Sequence, residues 1–165
     1  MATANRMIEV LQEQQAVLQE LQQALRDEQQ AIIALDTARM EAMNSLKEQL
    51  VVRQRTMAES LRQVLAATAQ QLGLPSSATL SEIAAKMPVG MRSQVDALQQ
   101  SARKSGAAVA LLAEQNRVML ERFLGVVNDS LAYILRILNT SNTYGVRGTY
   151  LSNTQAGAVM VSREA

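Results

Sequence analysis

The sequence predicts an all-α protein: an antiparallel bundle of long helices, or a coiled-coil hairpin, with a flexible C-terminal tail. Three observations carry this. Apolar residues recur every seven positions along most of the 165 residues. Good helix formers dominate, and only seven Gly and two Pro interrupt them. The chain is 48% hydrophobic but 2% aromatic, so a core is available and must be built from Leu, Ile, Val, Met and Ala. The length suits one domain.

The first predicted helix covers residues 4–34. Leu11, Leu18, Leu25 and Ile32 form a seven-residue series, Leu21 and Leu35 fill the interleaved positions, and Gln14 and Glu28 leave gaps there. Met43, Leu50, Met57 and Val64, with Leu46 and Leu61 beside them, define a second helix over 37–72. Between Ile32 and Met43 the phase changes. Either a stutter lies inside one helix roughly 100 Å long at about 1.5 Å per residue, or the chain turns at "ALDTAR" with Asp36 as N-cap. The turn is favoured, because two shorter helices can cover each other's apolar seams.

"LGLPSSATLSE" is the clearest break. Gly73 suits the position just past a helix end, and Pro75 follows it. Thr79 and Glu82 have capping-box spacing ahead of a short helix near 80–87, which Pro88 and Gly90 should stop. The last predicted helix runs over 91–138. Met91, Leu98, Leu112, Met119 and Val126 form one of its series. Val95, Ala102, Val109 and Phe123 form the other, with Asn116 in line. Ser105 and Gly106 mark a place where this helix can bend. A helical body over 1–139 and a tail over 140–165 are the expected divisions.

Composition excludes several classes. The net charge of +1 gives no field that would draw the chain to nucleic acid or acidic lipid. Residues 1–50 are mildly acidic and the remainder mildly basic, with no run of like charges. Without Cys or His there is no disulfide, no thiolate and no imidazole. Glu9, Glu13 and Glu20 have the spacing of a solvated helix face. Ser76, Ser77 and Ser81 surround a helix start and have no His to activate them. Arg53, Arg55 and Arg62 lack interleaved aromatics. No catalytic or phosphate-binding motif is present. The expectation is a non-enzyme with no cofactor, no metal, no nucleic-acid partner and no membrane insertion. An N-terminus without the apolar segment of a signal peptide suggests the cytoplasm.

Three features point to partners. Asn116 on an apolar stripe either fixes helix register or touches a partner. Nine Met side chains either fill gaps in the core or line an adaptable surface. After Gly125 the apolar residues crowd: Val127, Leu131, Tyr133, Ile134, Leu135, Ile137 and Leu138. Such a stretch packs on its own bundle or is covered by something else. The tail "NTYGVRGTYLSNTQAGAVMV" holds Tyr144 beside Gly145, and also Tyr150. It is an ordinary polar terminus or a strip of interface anchors.

These residues resemble the FlgN-type flagellar export chaperones. "LQELQQALRDEQQAIIALD" and "MEAMNSLKEQLVVRQR" look like the family's N-terminal helices, and "RQVLAATAQQLGLPSSATLSEIAAKMP" like its Leu-Gly break and short helix. "EQNRVMLERFLGVVNDSLAYILRIL" is similar to its third helix, with Asn116 in the family's Asn position, and "NTYGVRG" to its Tyr-Gly tail motif. The resemblance implies an export chaperone for hook-associated proteins that delivers them to the flagellar export gate. The cargo's terminal helical segment would then lie on Val127, Leu131, Ile134, Leu135 and Leu138. Tyr144 and Gly145 would meet the gate, with Tyr150 a second anchor. The alternative from the residues themselves is a self-associating structural coiled-coil protein. The sequence does not fix the oligomeric state or the identity of the cargo.

Overall fold

A computed structural model of the chain describes residues 2–140. Its elements are α1 (Ala2–Ile33), α2 (Thr37–Gln71), α3 (Leu80–Ala85) and α4 (Val89–Thr140), with no strand among the described residues. The expected tail, with Tyr144, Gly145 and Tyr150, lies outside them. The chain divides into two compact units, Met1–Leu120 and Glu121 onward, so that the division falls within α4.

The phase change after Ile32 is a turn. Asp36 caps α2, its side chain accepting from the Arg39 backbone N–H at 2.9 Å. The Asp36 N–H closes the end of α1 on the Ala31 carbonyl at 2.9 Å. Leu35 takes a φ of 54° to make the reversal. The expectation that Leu35 extends the α1 stripe is therefore corrected: it sits in the turn and is 58% exposed. The reversal requires a left-handed residue there, and the apolar stripe ends at Ile32.

At the second break Gly73 has a φ of 70°, a conformation open to Gly and costly for other residues. The Leu74 N–H returns to the Ala69 carbonyl at 2.9 Å, the long bond of a Schellman ending. α3 starts with the complete capping box of Thr79 and Glu82. α3 ends at Ala85, before Pro88. Gly90 does not stop a helix as expected; it lies in the first turn of α4, whose Arg92 N–H bonds to the Pro88 carbonyl at 3.0 Å. Pro suits this boundary because its carbonyl can start a helix while its ring ends the preceding one. α4 continues as helix through Ser105 and Gly106.

Within the first unit α1 is the central element. Val10, Val17, Ala24 and Ala31 form a seven-residue series lying one position before the Leu11–Ile32 series, and all four are buried. Two adjacent series serve two neighbours. Val17 and Ala24 pack with Leu50 of α2. Gln15 and Gln29 bond Ser105 and Met119 of α4. Thr3 meets Gln71, Arg53 meets Glu20 and Lys47 meets Glu28, so α2 runs antiparallel to α1. The α1–α4 bonds hold a near-constant separation of 88 to 91 residues, so these two helices run parallel. At one end Met7, Ile8 and Leu11 close around Ala69, Ile83 and Val95. Ile83 has no exposed surface, and α3 plugs the core through it.

Candidate functional site

The gap that Glu28 leaves in the α1 stripe is filled by a polar cluster joining all three long helices. Glu28 is 5% exposed. Its Oε1 accepts from Lys47 Nζ at 2.6 Å and its Oε2 from Asn116 Nδ2 at 2.9 Å. Asn116 Nδ2 also donates to the Leu25 carbonyl at 2.8 Å. The acid and the cation neutralise each other, and both amide hydrogens of Asn116 are engaged. Asn116 thus does what a polar residue on an apolar seam does: it fixes one helix register. Nearer the start of α1, Gln15 Nε2 donates to Ser105 Oγ at 3.0 Å, so the small serine admits a hydrogen bond where a bend was conceivable.

The acids of the exposed face carry no chemistry of their own. Arg6 pairs with Glu9 at 3.0 Å and Arg53 with Glu20 at 3.2 Å, all largely exposed. Among the described residues no group of three His, Cys, Asp or Glu side chains could hold a metal ion. Two carboxyls lie below the usual range. Glu82 is lowered first by the Thr79 backbone N–H, and Glu114 by its hydrogen bond with Arg117. Both shifts follow from local helix contacts. A groove of about 510 Å³ in the first unit is walled by Leu21, Leu25, Val51, Val52 and Val109, with Lys47 and Arg55 among its polar lining.

The second unit is different in kind. Leu131 is 53% exposed, Ile134 50%, Leu135 58% and Leu138 63%, while Val127 is half-buried. The five residues singled out from the sequence therefore share one helical segment with little apolar cover. Leu124, Val126, Tyr133 and Ile137 are exposed on it as well. These four stand outside the five, although Tyr133 and Ile137 belong to the crowd read from the sequence and Val126 to one of the seven-residue series. Ser130 Oγ donates to the Val126 carbonyl at 2.8 Å, so its hydroxyl turns into the helix. No described helix is long and apolar enough to cross a membrane.

The first unit is a helical body with a buried polar cluster, and the second is a helical segment that exposes apolar side chains. Residues 1–152 match the family model described as FlgN protein, and the chain belongs to that family. It is thus a flagellar export chaperone, a protein of flagellum assembly, and chaperones of this family bind flagellar export substrates. No curated protein and no solved structure matches the chain.

Proposed function

We propose that the chain binds hook-associated proteins of the hook–filament junction in the cytoplasm and delivers them to the flagellar type III export gate. The cargo's terminal helical segment lies on Val127, Leu131, Ile134, Leu135 and Leu138. Tyr144 and Gly145 engage the gate. The observation that carries this reading is the exposure of four of those apolar side chains, each by half or more, on a helix of an export chaperone. A segment that is disordered when free loses conformational entropy on binding, and apolar contact offsets that loss. Hand-over requires release, which suits an affinity of about −8 to −12 kcal/mol. The body and its apolar end would act as one part, 1–139, and the tail, 140–165, as another.

The test is calorimetric titration of a hook-associated protein's terminal segment into wild-type chain and into the Leu131→Ser, Leu135→Ser double variant. Binding should fall at least tenfold while helix content by circular dichroism is unchanged. Unchanged binding would place the cargo elsewhere. A stable oligomer that dissociates on the same substitutions, with cargo affinity intact, would favour the self-associating reading.

A further inference from the structure

We infer that residues 125–130 of α4, "GVVNDS", are a built-in opening point, and that the helix beyond Leu124 forms and melts as one unit while the first unit stays folded. The opening is a property of the chain alone; its link to cargo rests on the proposed function. The good helix formers are Ala, Leu, Arg, Met, Lys, Gln and Glu. None of them occurs among Gly125, Val126, Val127, Asn128, Asp129 and Ser130. Elsewhere in the described helices, residues outside that group come no more than two in a row. Helix propensity disfavours Gly about fivefold against Ala and the other five about two- to threefold each, so the six together weaken the helix on the order of a hundredfold. The causes differ. Gly loses the most backbone freedom and Val its χ1 freedom, while Asn, Asp and Ser offer the backbone a competing hydrogen bond. One such bond is formed: Ser130 Oγ donates to the Val126 carbonyl at 2.8 Å, a contact of the kind that bends helices.

Packing does not offset this weakness. Most helix stability in a folded protein comes from tertiary packing of one face. Here Gly125, Val126, Asn128, Asp129 and Ser130 are exposed, and Val127 is half-buried. Asn116 is the last buried residue of α4 among those described. A Cβ added at Gly125 would meet nothing within 4 Å, so no close approach requires a glycine there. Gly106 makes the contrast. It too has open space where a Cβ would lie, but Ser105 beside it is buried and accepts from Gln15 of α1 at 3.0 Å. Gly106 is therefore held by a neighbouring helix, whereas Gly125 lies past the last buried residue. The weak stretch falls wholly inside the second unit, which begins at Glu121.

Length decides how much opens. Beyond the weak stretch α4 has ten residues, Leu131–Thr140. A helix shorter than about 12–15 residues is marginal in water by itself. Once 125–130 opens, those ten residues cannot stay helical and melt with it. On the other side, "AAVALLAEQNRVMLERFL" over 107–124 is rich in good helix formers, so the opening stops there. Four of the five proposed cargo residues, Leu131, Ile134, Leu135 and Leu138, lie past the opening point. They share one helical surface only while the segment is closed. Cargo that binds this surface shifts the segment to its closed form, and opening disperses the surface, which gives the cargo a route of release.

The experiment is amide hydrogen exchange on the full chain, with Gly125→Ala, the Asn128→Ala, Asp129→Ala double variant and Gly106→Ala. In wild type, amides 126–138 should open with one common constant, about tenfold or more larger than that of 107–120. Gly125→Ala should reduce that constant about fivefold, and the double variant by about as much, while Gly106→Ala leaves it unchanged. Protection at 126–130 equal to that at 107–120, with exchange rising smoothly toward Thr140, would be ordinary fraying of a helix end and would overturn the inference. A Gly125→Ala chain that exchanges past residue 125 as wild type does would overturn it as well. So would a variant that slows exchange equally from α1 to α4, since the opening would then be global. The same measurement with the terminal helical segment of a hook-associated protein added should slow exchange of 126–138 about tenfold or more. Opening that this segment does not suppress would leave the inference standing and remove the cargo from these residues. Protection by the segment of a helix already closed in the free chain would overturn the inference and leave the proposed function standing.

Discussion

Glu28, Lys47 and Asn116 show how a single charged gap governs a helical body. Lys47 is 21% exposed and Glu28 7% by side chain, so water reaches the cation but scarcely the acid. Lys47→Met leaves a nearly buried carboxylate with no cation and should cost about 3 kcal/mol, read by urea denaturation. Adding Glu28→Gln removes the charge and should recover most of that loss. Equal stability of the single and double variants would mean that the unpaired carboxylate carries no penalty. Leu35 gives a residue-scale prediction of the opposite sign. A left-handed conformation costs a branched side chain about 1 kcal/mol, and at 58% exposure little burial offsets it. Leu35→Gly should raise stability by up to that amount, and a lower melting temperature would show that the side chain packs usefully after all.

Among the elements, the smallest still reaches the core. α3 has six residues, held at one end by its capping box and in the middle by Ile83, which is fully buried. Ile83→Ala should cost about 2–5 kcal/mol. The cap predicts a dependence on pH. Because the Thr79 N–H lowers the Glu82 pKa in the folded state, the cap's contribution is present above the ordinary carboxylate range and is lost as pH falls through the lowered value. Wild type should therefore lose more melting temperature between pH 7 and pH 3 than Glu82→Ala. Parallel curves would show that the cap does not couple to stability. Helix boundaries of this kind were legible in the sequence because they rest on local chemistry: Asp36, Gly73, Pro75 and the Thr79–Glu82 pair each act within a few residues. The second buried series on α1 was not. Val10, Val17, Ala24 and Ala31 are ordinary helix residues until α2 lies against Val17 and Ala24, and only the tertiary arrangement gives the series its role. Leu35 misled for the converse reason, since its spacing fits the stripe and only the turn removes it. The five apolar residues of the second unit were legible as a crowd, but a crowd does not say from which sides it is covered.

Across the whole molecule, the charge asymmetry of the chain becomes intelligible. The acidic first fifty residues contain α1, and Asp27, Glu28 and Glu20 on it meet Arg39, Lys47 and Arg53 of α2. The short turn at residues 34–36 makes the two helices antiparallel, and these pairs are compatible with that alignment; exposed pairs of this sort add little stability. In the proposed function, by contrast, capture and delivery fall to residues well separated in the chain. The five apolar residues lie before residue 139, and Tyr144 with Gly145 lies after it, outside the described residues. If the two tasks are separable, each can be removed alone. Tyr144→Ala should leave the melting curve and the cargo titration as they are in wild type. A tyrosine that anchors an interface contributes on the order of 2 kcal/mol, so affinity for the export gate should drop about thirtyfold, and export of the cargo should slow. The Leu131→Ser, Leu135→Ser variant should do the reverse, losing cargo and keeping the gate. Measured on the same two proteins, the titrations form a cross. A Tyr144→Ala chain that melts earlier would place the ring against the helical body. One that binds the gate as wild type does would remove Tyr144 from delivery and leave capture untouched.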